Sequence, residues 1–166
     1  MTNKPWVLIL MGSDSDAETM SQAAAALDEL GIPYEFTVAS AHRSPDRTKQ
    51  VVTEAEANGA VVFIAGAGLA AHLPGVVASL TTRPVIGVPL ASGALQGLDA
   101  LYAIVQMPPG IPVASVAIGG ARNAGILAAQ IIATADDAVA TRLKEQRRSM
   151  ADGVASKSKK VEKSTR

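Results

Sequence analysis

Short apolar runs alternate along the chain with longer segments whose apolar residues recur at helical spacing. The runs predict five β-strands, at Trp6–Met11, Tyr34–Ser40, Val61–Ala65, Pro84–Val88 and Val113–Ile118. The longer segments predict helices at Asp16–Leu30, Pro45–Asn58, Ala71–Leu80, Leu98–Val105 and Asn123–Thr134, with a closing helix at Asp136–Met150. Because strands and helices alternate, the sequence predicts an α/β protein with a parallel sheet.

The apolar character of each strand predicts its place in the sheet. Strands 1, 3 and 4 are continuously apolar, as strands covered on both faces must be. Strand 2 instead alternates, with Glu35 and Thr37 between apolar residues, which predicts an edge position. Together these features predict a three-layer α/β/α flavodoxin-like fold with strand order 2-1-3-4-5 and an added C-terminal helix. Ligands bind such sheets outside the carboxyl ends of the strands.

The composition adds an expectation about assembly. Hydrophobic residues make up 48% of the chain and charged residues only 18%, against about 25% charged in typical soluble domains. Residues 151–166 hold five basic and two acidic side chains and few apolar ones, which favours a disordered basic tail after a single catalytic domain at residues 1–150. A domain so poor in charge is expected to bury a large area between subunits, as a homo-oligomer.

Several classes of function are disfavoured by what the chain lacks. It has no cysteine and only two histidines, so a thiolate or all-histidine metal site is not expected. No apolar run approaches the roughly 18 residues of a membrane span. The near-neutral domain has few aromatic residues, which disfavours nucleic-acid binding. We expect a cytoplasmic protein without a metal, an organic cofactor, a nucleic-acid partner or a membrane partner.

The loop after strand 1, Gly12–Asp16, is the first candidate for ligand binding. A small residue here allows a ligand to approach the backbone, and the following amides and hydroxyls suit an anion at a helix N-terminus. Its two carboxylates would repel a bare phosphate and suit ribose hydroxyls better. The alternative is that Ser15 or Asp16 only caps the helix.

The loop after strand 2, Ser40–Pro45, carries the best candidate for proton transfer. His42 has the side chain best suited to proton transfer near neutral pH. Its neighbour Arg43 offers a planar fork for phosphate or carboxylate. The alternative is a surface histidine beside an arginine that pairs with Asp46 or Asp16.

The loop after strand 3, Gly66–Gly75, matches the relaxed dinucleotide fingerprint GxGxxA only formally. The fingerprint belongs after the first strand and expects an acidic residue about 20 positions later, whereas the next acidic residue is Asp99. Close approach of the backbone to a ligand is therefore favoured over a dinucleotide site. His72 could contact the ligand or pack at the helix start.

Two segments rich in glycine and proline, Pro89–Gly97 and Gln106–Pro112, could cover the pocket. They carry few polar groups. A simple connection between elements is an equally good interpretation, although long structureless connections are uncommon in small domains.

Four motifs together resemble one family. Gly12–Asp16, Ser40–Pro45, Gly66–Gly75 and Ile104–Val113 are similar, in order and spacing, to the bacterial 5-(carboxyamino)imidazole ribonucleotide mutase family of purine biosynthesis. The resemblance covers about residues 6–145. It implies an octamer of flavodoxin-like subunits that needs no metal or organic cofactor, and a reaction that moves a carboxylate from the exocyclic nitrogen to ring carbon 4.

The resemblance also implies roles for particular residues. His42 matches the histidine assigned to proton transfer, while Ser13, Asp16 and Arg43 match positions that hold the ribose phosphate. We further expect Ser40, Gly68, His72 and Leu73 to line the substrate pocket. At three positions the chain departs from the commonest pattern: Leu69 replaces a glycine, and Ala100 and Ala103 replace residues that are often serine.

Two other functions compete with this interpretation. The related carboxylase adds free carbon dioxide directly to aminoimidazole ribonucleotide, and its members usually have lysine where Arg43 stands. A flavodoxin-like binding module without catalysis is the second rival. A receiver module requires an aspartate at the end of strand 3, where Ala65 stands. A flavin module requires aromatic side chains at the strand ends, and this chain lacks them there.

Overall fold

The structure, a computed structural model, describes residues 5–162. Its strands are β1 (Trp6–Met11), β2 (Tyr34–Val38), β3 (Ala60–Gly68), β4 (Val85–Leu90) and β5 (Ala114–Ser115). Its helices are α1 (Ala17–Glu29), α2 (Pro45–Ala57), α3 (Leu73–Leu80), α4 (Leu98–Val105), α5 (Ala121–Ile132) and α6 (Asp137–Glu162), with a 3-10 turn at Asp14–Asp16. Alternation of strand and helix is therefore confirmed.

All the strands pair in parallel, in the order β2-β1-β3-β4-β5. The prediction of a three-layer flavodoxin-like sheet is confirmed. One face, with Val7, Ile9 and Met11 of β1, packs in a core with residues of α1 and α5. The opposite face, with Leu8 and Leu10, packs in a second core with residues of α2, α3 and α4. Burial on both faces explains why β1 is continuously apolar.

The edge position predicted for β2 is also confirmed, because β2 pairs only with β1. Its apolar side chains are less covered than alternation alone suggests, since Phe36 and Val38 remain 38% and 39% exposed. The helices of this chain cover the centre of the sheet and leave this edge open.

Several element boundaries differ from the sequence prediction for identifiable reasons. β3 and β4 each continue further, because their ladder extends to the pair Gly68 and Leu90 and glycine does not end a strand whose neighbour supplies hydrogen bonds. β5 shortens because only two of its residues pair with β4. Helix α3 begins at Leu73 rather than Ala71, because Ala71 has a left-handed φ of 44°.

The prediction of a disordered tail from residue 151 is wrong for residues 151–162, which continue helix α6. The segment contains alanine, lysine and glutamate, which favour helix, and lysines in the last turn, which favour the negative end of the helix dipole. The side chains of residues 151–161 are exposed. Residues 163–166 lie outside the described residues.

Candidate functional site

The loops that follow β1, β2 and β3 enclose a cavity of about 400 Å³, which we call the carboxyl-end cavity. All the residues proposed from the sequence line it: Ser13, Asp16, Ser40, His42, Arg43, Gly68, His72 and Leu73. The remaining lining residues are Gly12, Ser15, Ala41, Ala67, Leu69, Ala70, Ala71 and Ser92. The parallel sheet brings these loops together because all its strands end at the same edge.

The first loop holds a compact hydroxyl cluster. Ser13 is extended and caps the 3-10 turn, because its Oγ accepts a hydrogen bond from the Ser15 amide at 3.4 Å. The same oxygen also accepts a hydrogen bond from the Ser15 hydroxyl at 2.9 Å. Asp14 accepts hydrogen bonds from the Ser13 hydroxyl and the Ser15 amide at 3.1 and 3.0 Å. Asp14 is thus engaged within its own loop and does not line the cavity, whereas Ser13 and Asp16 do.

Asp16 is partly buried at the base of this loop. Desolvation by burial is the largest influence and raises the pKa of its carboxyl. Hydrogen bonds with Ser13 and Ser15 and the Arg43 charge lower it, the Asp14 charge raises it, and the net pKa is raised. The interpretation of Asp16 as only a helix cap is not supported, because its side chain makes no capping hydrogen bond to α1. A carboxylate held this way accepts hydrogen bonds readily from hydroxyl groups.

Arg43 connects the first two loops. Its Nη2 donates to the Gly12 carbonyl at 2.7 Å, and its Nε and backbone amide donate to Ser40 Oγ at 3.4 and 3.2 Å. Ser40 therefore positions the arginine. These acceptors are neutral oxygens, so the guanidinium charge can still attract an anion in the cavity.

The two histidines of the chain form a hydrogen-bonded pair within the cavity. His42 Nε2 and His72 Nδ1 lie 2.7 Å apart, and the rings meet edge to face with centroids 4.8 Å apart. One nitrogen must donate and the other accept, so a single hydrogen occupies the space between them. His42 and His72 come from different loops, 30 residues apart, and only the fold reveals the pair.

The third loop combines close packing with backbone strain. Gly66 does not line the cavity. The Met20 side chain packs against it, and a Cβ at this position would overlap the Met20 sulfur, so there is no room for a larger residue. A Cβ at Gly68 would lie 3.2 Å from Ser92 Cβ. Leu69 and Ala71 both have left-handed φ angles, of 53° and 44°, a conformation that costs a residue other than glycine about 1–2 kcal/mol.

Only part of the predicted cover is observed. Ser92, in the loop after β4, lines the carboxyl-end cavity and was not singled out by the sequence. The segment Gln106–Pro112 does not line it, and the expectation of a cover from this segment is wrong for the chain as described. Its residues Gly110, Ile111 and Pro112 instead line a second cavity, because this segment leads into the amino end of β5.

The second cavity, which we call the amino-end cavity, lies at the opposite edge of the sheet. It has a volume of about 780 Å³ and is lined by Glu56, residues 78–85, residues 110–112 and Ala114. Its arginine, Arg83, forms an ion pair with Glu56 at 3.6 Å. No histidine lines this cavity.

Within residues 5–162, no three histidine, cysteine or acidic side chains are grouped as a metal site would require. In the same part of the chain, no helix has the length and apolar character needed to cross a membrane.

The fold and the cavity together define a class of protein. A 2-1-3-4-5 parallel sheet carries, at its carboxyl edge, an arginine available to anions, a hydroxyl cluster and a paired histidine. This is the arrangement of a flavodoxin-like α/β protein with a site for a small anionic ligand.

The comparison with known families identifies the particular group. The AIR carboxylase family matches residues 6–153, and the chain belongs to this family. The N5-carboxyaminoimidazole ribonucleotide mutase of Thermotoga maritima is 54% identical over 158 residues, covering 95% of this chain and 92% of that relative. The family resemblance stated from the sequence motifs is confirmed.

One further relative carries the name of the other activity, and a solved structure shares the fold. The phosphoribosylaminoimidazole carboxylase of Schizosaccharomyces pombe is 50% identical over 159 residues, which cover 96% of this chain and 29% of that protein. The crystal structure of Treponema denticola PurE matches with a TM-score of 0.87 at 32% identity, covering 95% of this chain and 98% of that one.

Proposed function

We propose that this chain is an isomerase of purine biosynthesis, which converts 5-(carboxyamino)imidazole ribonucleotide into 4-carboxy-5-aminoimidazole ribonucleotide. The activity for which the Thermotoga relative is named, at 54% identity over 95% of this chain, supports this assignment. The observation in the structure that carries it is the His42–His72 pair inside a cavity that also holds Arg43. Binding of a phosphorylated nucleotide needs the positive charge of Arg43, and the carboxyl shift needs a group that carries a proton, which the histidine pair supplies.

The reaction requires one proton to be delivered and one to be removed. The bond between the exocyclic nitrogen and the carboxylate carbon breaks, carbon dioxide leaves, and the nitrogen takes up a proton. Ring carbon 4, which is nucleophilic like an enamine carbon, then attacks carbon dioxide and loses its proton. The uptake and the loss balance, so one group that shuttles a single proton is sufficient.

His42 is the proposed shuttle and His72 its partner. Because a single hydrogen lies between the two nitrogens 2.7 Å apart, the pair can donate a proton from one ring while the other ring compensates. We assign proton transfer to His42 and positioning of its ring to His72. Leu73 and Gly68 line the same cavity as His72 and are assigned to the space around the imidazole.

The opposite side of the cavity is proposed to hold the ribose phosphate. Arg43 presents its charge to the cavity while Ser40 fixes its backbone and Nε. The Ser13 hydroxyl can turn from its own loop to a phosphate oxygen, and Asp16 can accept from a ribose hydroxyl. Ser40 thus contributes to substrate binding through Arg43.

An isotope experiment tests the assignment. The carboxylate of the substrate is labelled with ¹³C and turnover is followed in buffer that contains unlabelled bicarbonate. We expect the label to appear at the carboxylate on ring carbon 4 without dilution. Absence of turnover would contradict the enzyme assignment and favour a binding module that retains the nucleotide without reacting.

The direct carboxylase is a second candidate, because the Schizosaccharomyces relative named for that activity is 50% identical over 96% of this chain. It would take free carbon dioxide and aminoimidazole ribonucleotide as its substrates. The same experiment separates the two activities: a carboxylase would incorporate carbon from the unlabelled bicarbonate pool. Undiluted label excludes it.

The active form is proposed to be a homo-oligomer, and the family resemblance favours an octamer. Several large apolar side chains remain exposed on one part of the chain: Leu95, Leu98, Tyr102 and Val105, at 44% to 60%. Surface of this kind is typical of subunit interfaces. Sedimentation at micromolar concentration tests the proposal, and a monomer would contradict it. The cytoplasm is the proposed location, which cell fractionation can check.

A further inference from the structure

The turn after β2 presents His42 and Arg43 to the carboxyl-end cavity. Both residues are exposed, so packing in the core does not fix them. Their positions depend instead on the backbone of the turn, residues 40–44. A backbone hydrogen bond closes this turn, in which the Ser44 amide donates to the Ser40 carbonyl at 2.9 Å. The geometry of the turn therefore decides where both side chains begin.

The Ser44 side chain supplies a second closure of the same turn. Its Oγ accepts a hydrogen bond from the Ser40 amide at 3.1 Å and donates one to the Ser40 carbonyl at 3.2 Å. Strand β2 has already ended, and the Ala39 amide makes a last hydrogen bond to the Met11 carbonyl of β1 at 2.9 Å. The Ser44 hydroxyl thus takes the place of a strand partner for the backbone of Ser40.

Ser44 makes these bonds instead of capping helix α2. It occupies the N-cap position, where serine usually accepts a hydrogen bond from an amide of the first turn, yet its side chain makes no capping hydrogen bond. The start of α2 has other support. Pro45 stands at its first position, and the buried Thr48 hydroxyl donates to the Ser44 carbonyl at 3.1 Å. The hydroxyl of Ser44 therefore serves the turn rather than the helix.

We propose that Ser44 is a positioning residue, whose hydroxyl fixes the turn so that His42 meets His72 and Arg43 faces the cavity. Ser44 does not line the cavity itself, so it acts through the turn. The expected effect on turnover rests on the proposed mutase function, whereas the effect on the histidine pair needs no substrate. Without the hydroxyl, the Ser40 amide loses its partner and only the backbone closure of the turn remains.

The test compares Ser44→Ala with Ser44→Thr and Thr48→Val, well below the lowest melting temperature of the set. In Ser44→Ala we expect kcat to fall about tenfold and the nucleotide Kd to rise about threefold, because small displacements of reacting groups are costly. Ser44→Thr keeps a hydroxyl and should hold both values within about twofold of the unmodified protein. Thr48→Val is the matched control, because it removes a hydroxyl from the same helix start and leaves that of Ser44 in place. It should also stay within about twofold.

Histidine NMR gives a measurement that a role in stability alone would not change. The chain has two histidines, so ¹⁵N-histidine labelling reports on the pair directly. At about pH 8, where free imidazole is neutral, the paired nitrogens of the unmodified protein should show one donor and one acceptor. In Ser44→Ala their chemical shifts should move toward the average of rings that exchange between tautomers. In Thr48→Val the shifts should be unchanged.

The two proposals can fail separately. If the unmodified protein shows no turnover, the mutase function fails, and the histidine spectra of Ser44→Ala still decide whether Ser44 positions the pair. If the unmodified protein turns over and Ser44→Ala keeps its kcat, affinity and histidine shifts, the positioning role is overturned. An equal fall of kcat in Thr48→Val would also overturn it, because the effect would then belong to the start of α2.

Discussion

The two cavities at opposite edges of the sheet differ in size and in chemistry, and the smaller one carries the candidate site. The amino-end cavity measures about 780 Å³ and the carboxyl-end cavity about 400 Å³. Each contains an arginine. Arg83 is paired with Glu56 in the first, whereas Arg43 donates to neutral oxygens of Gly12 and Ser40 in the second.

The direction of the helices explains why the smaller cavity is suited to an anionic substrate. Helices that follow parallel strands begin at the carboxyl edge, where their positive ends favour negative charge. At the amino edge the same helices end, and a cation such as Arg83 is stabilised there by the negative ends and by Glu56. Chemistry at the strand ends, rather than volume, therefore distinguishes the two cavities.

Replacement of the proton carrier should give the largest effect. His42→Asn removes the ring that pairs with His72 at 2.7 Å while keeping a similar polar shape. Turnover should fall by about 10²–10⁴-fold, the usual contribution of general acid–base catalysis, with nucleotide affinity within about tenfold. Steady-state kinetics and calorimetric titration measure the two quantities; near-normal turnover would remove His42 from the mechanism.

The arginines allow the same substitution to be made in both cavities. Arg43→Met removes the charge proposed to bind phosphate, and the nucleotide should bind about 10–100-fold more weakly, as expected for loss of charged hydrogen bonds. Arg43→Lys should recover only part of the affinity, because lysine keeps the charge but not the planar fork. An unchanged dissociation constant for Arg43→Met would place the phosphate elsewhere.

Asp16→Asn separates binding from stability. Loss of the carboxylate should weaken nucleotide binding about tenfold, in line with loss of a charged hydrogen bond. The folded protein should become slightly more stable at neutral pH, because burial raises the pKa of Asp16 and so disfavours its ionised form.

The pH dependence of Asp16 has a definite sign. Since the folded pKa of Asp16 is raised above the ordinary value of 3.8 for this carboxyl, the Asp16 carboxyl lowers the stability of the native protein as pH rises from the unfolded pKa through the folded one. The difference in melting temperature between Asp16→Asn and the unmodified protein should therefore be small in acid and positive at neutral pH. Thermal unfolding at several pH values measures it, and the opposite trend would contradict the burial argument.

Arg83→Met is expected to have the smallest effect. The ion pair with Glu56 is solvent-accessible, with the Arg83 side chain 49% exposed, and pairs of this kind contribute about 0.2–1 kcal/mol. Turnover and nucleotide affinity should stay within about twofold of normal. A loss comparable to that of Arg43→Met would show that the amino-end cavity takes part in binding.

The sequence predicts strand order because apolar continuity reports burial on both faces. It places β2 at the edge because polar residues alternate with apolar ones in that strand, and the structure confirms the position. It misses the length of β3 and β4, because their ladder passes through Gly66 and Gly68, residues that local propensity assigns to a loop. It also predicts disorder where α6 continues, because a polar segment without an apolar stripe gives little sign of a helix.

The candidate site could be located from single loops but not assembled from them. His42 and His72 each stand out as histidines at strand ends, yet only the fold shows the hydrogen bond between them. Ser92 gives no signal of its own, because a serine in a turn is ordinary. Leu69 stands out only when its departure from the family pattern is joined to its left-handed backbone.

A crystal structure with the imidazole ribonucleotide bound tests the central claim most directly. We predict the phosphate within hydrogen-bond distance of Arg43 and Ser13, with the imidazole ring beside His42 in the carboxyl-end cavity. Density for the nucleotide in the amino-end cavity, against Thr82 and Arg83, would contradict the account.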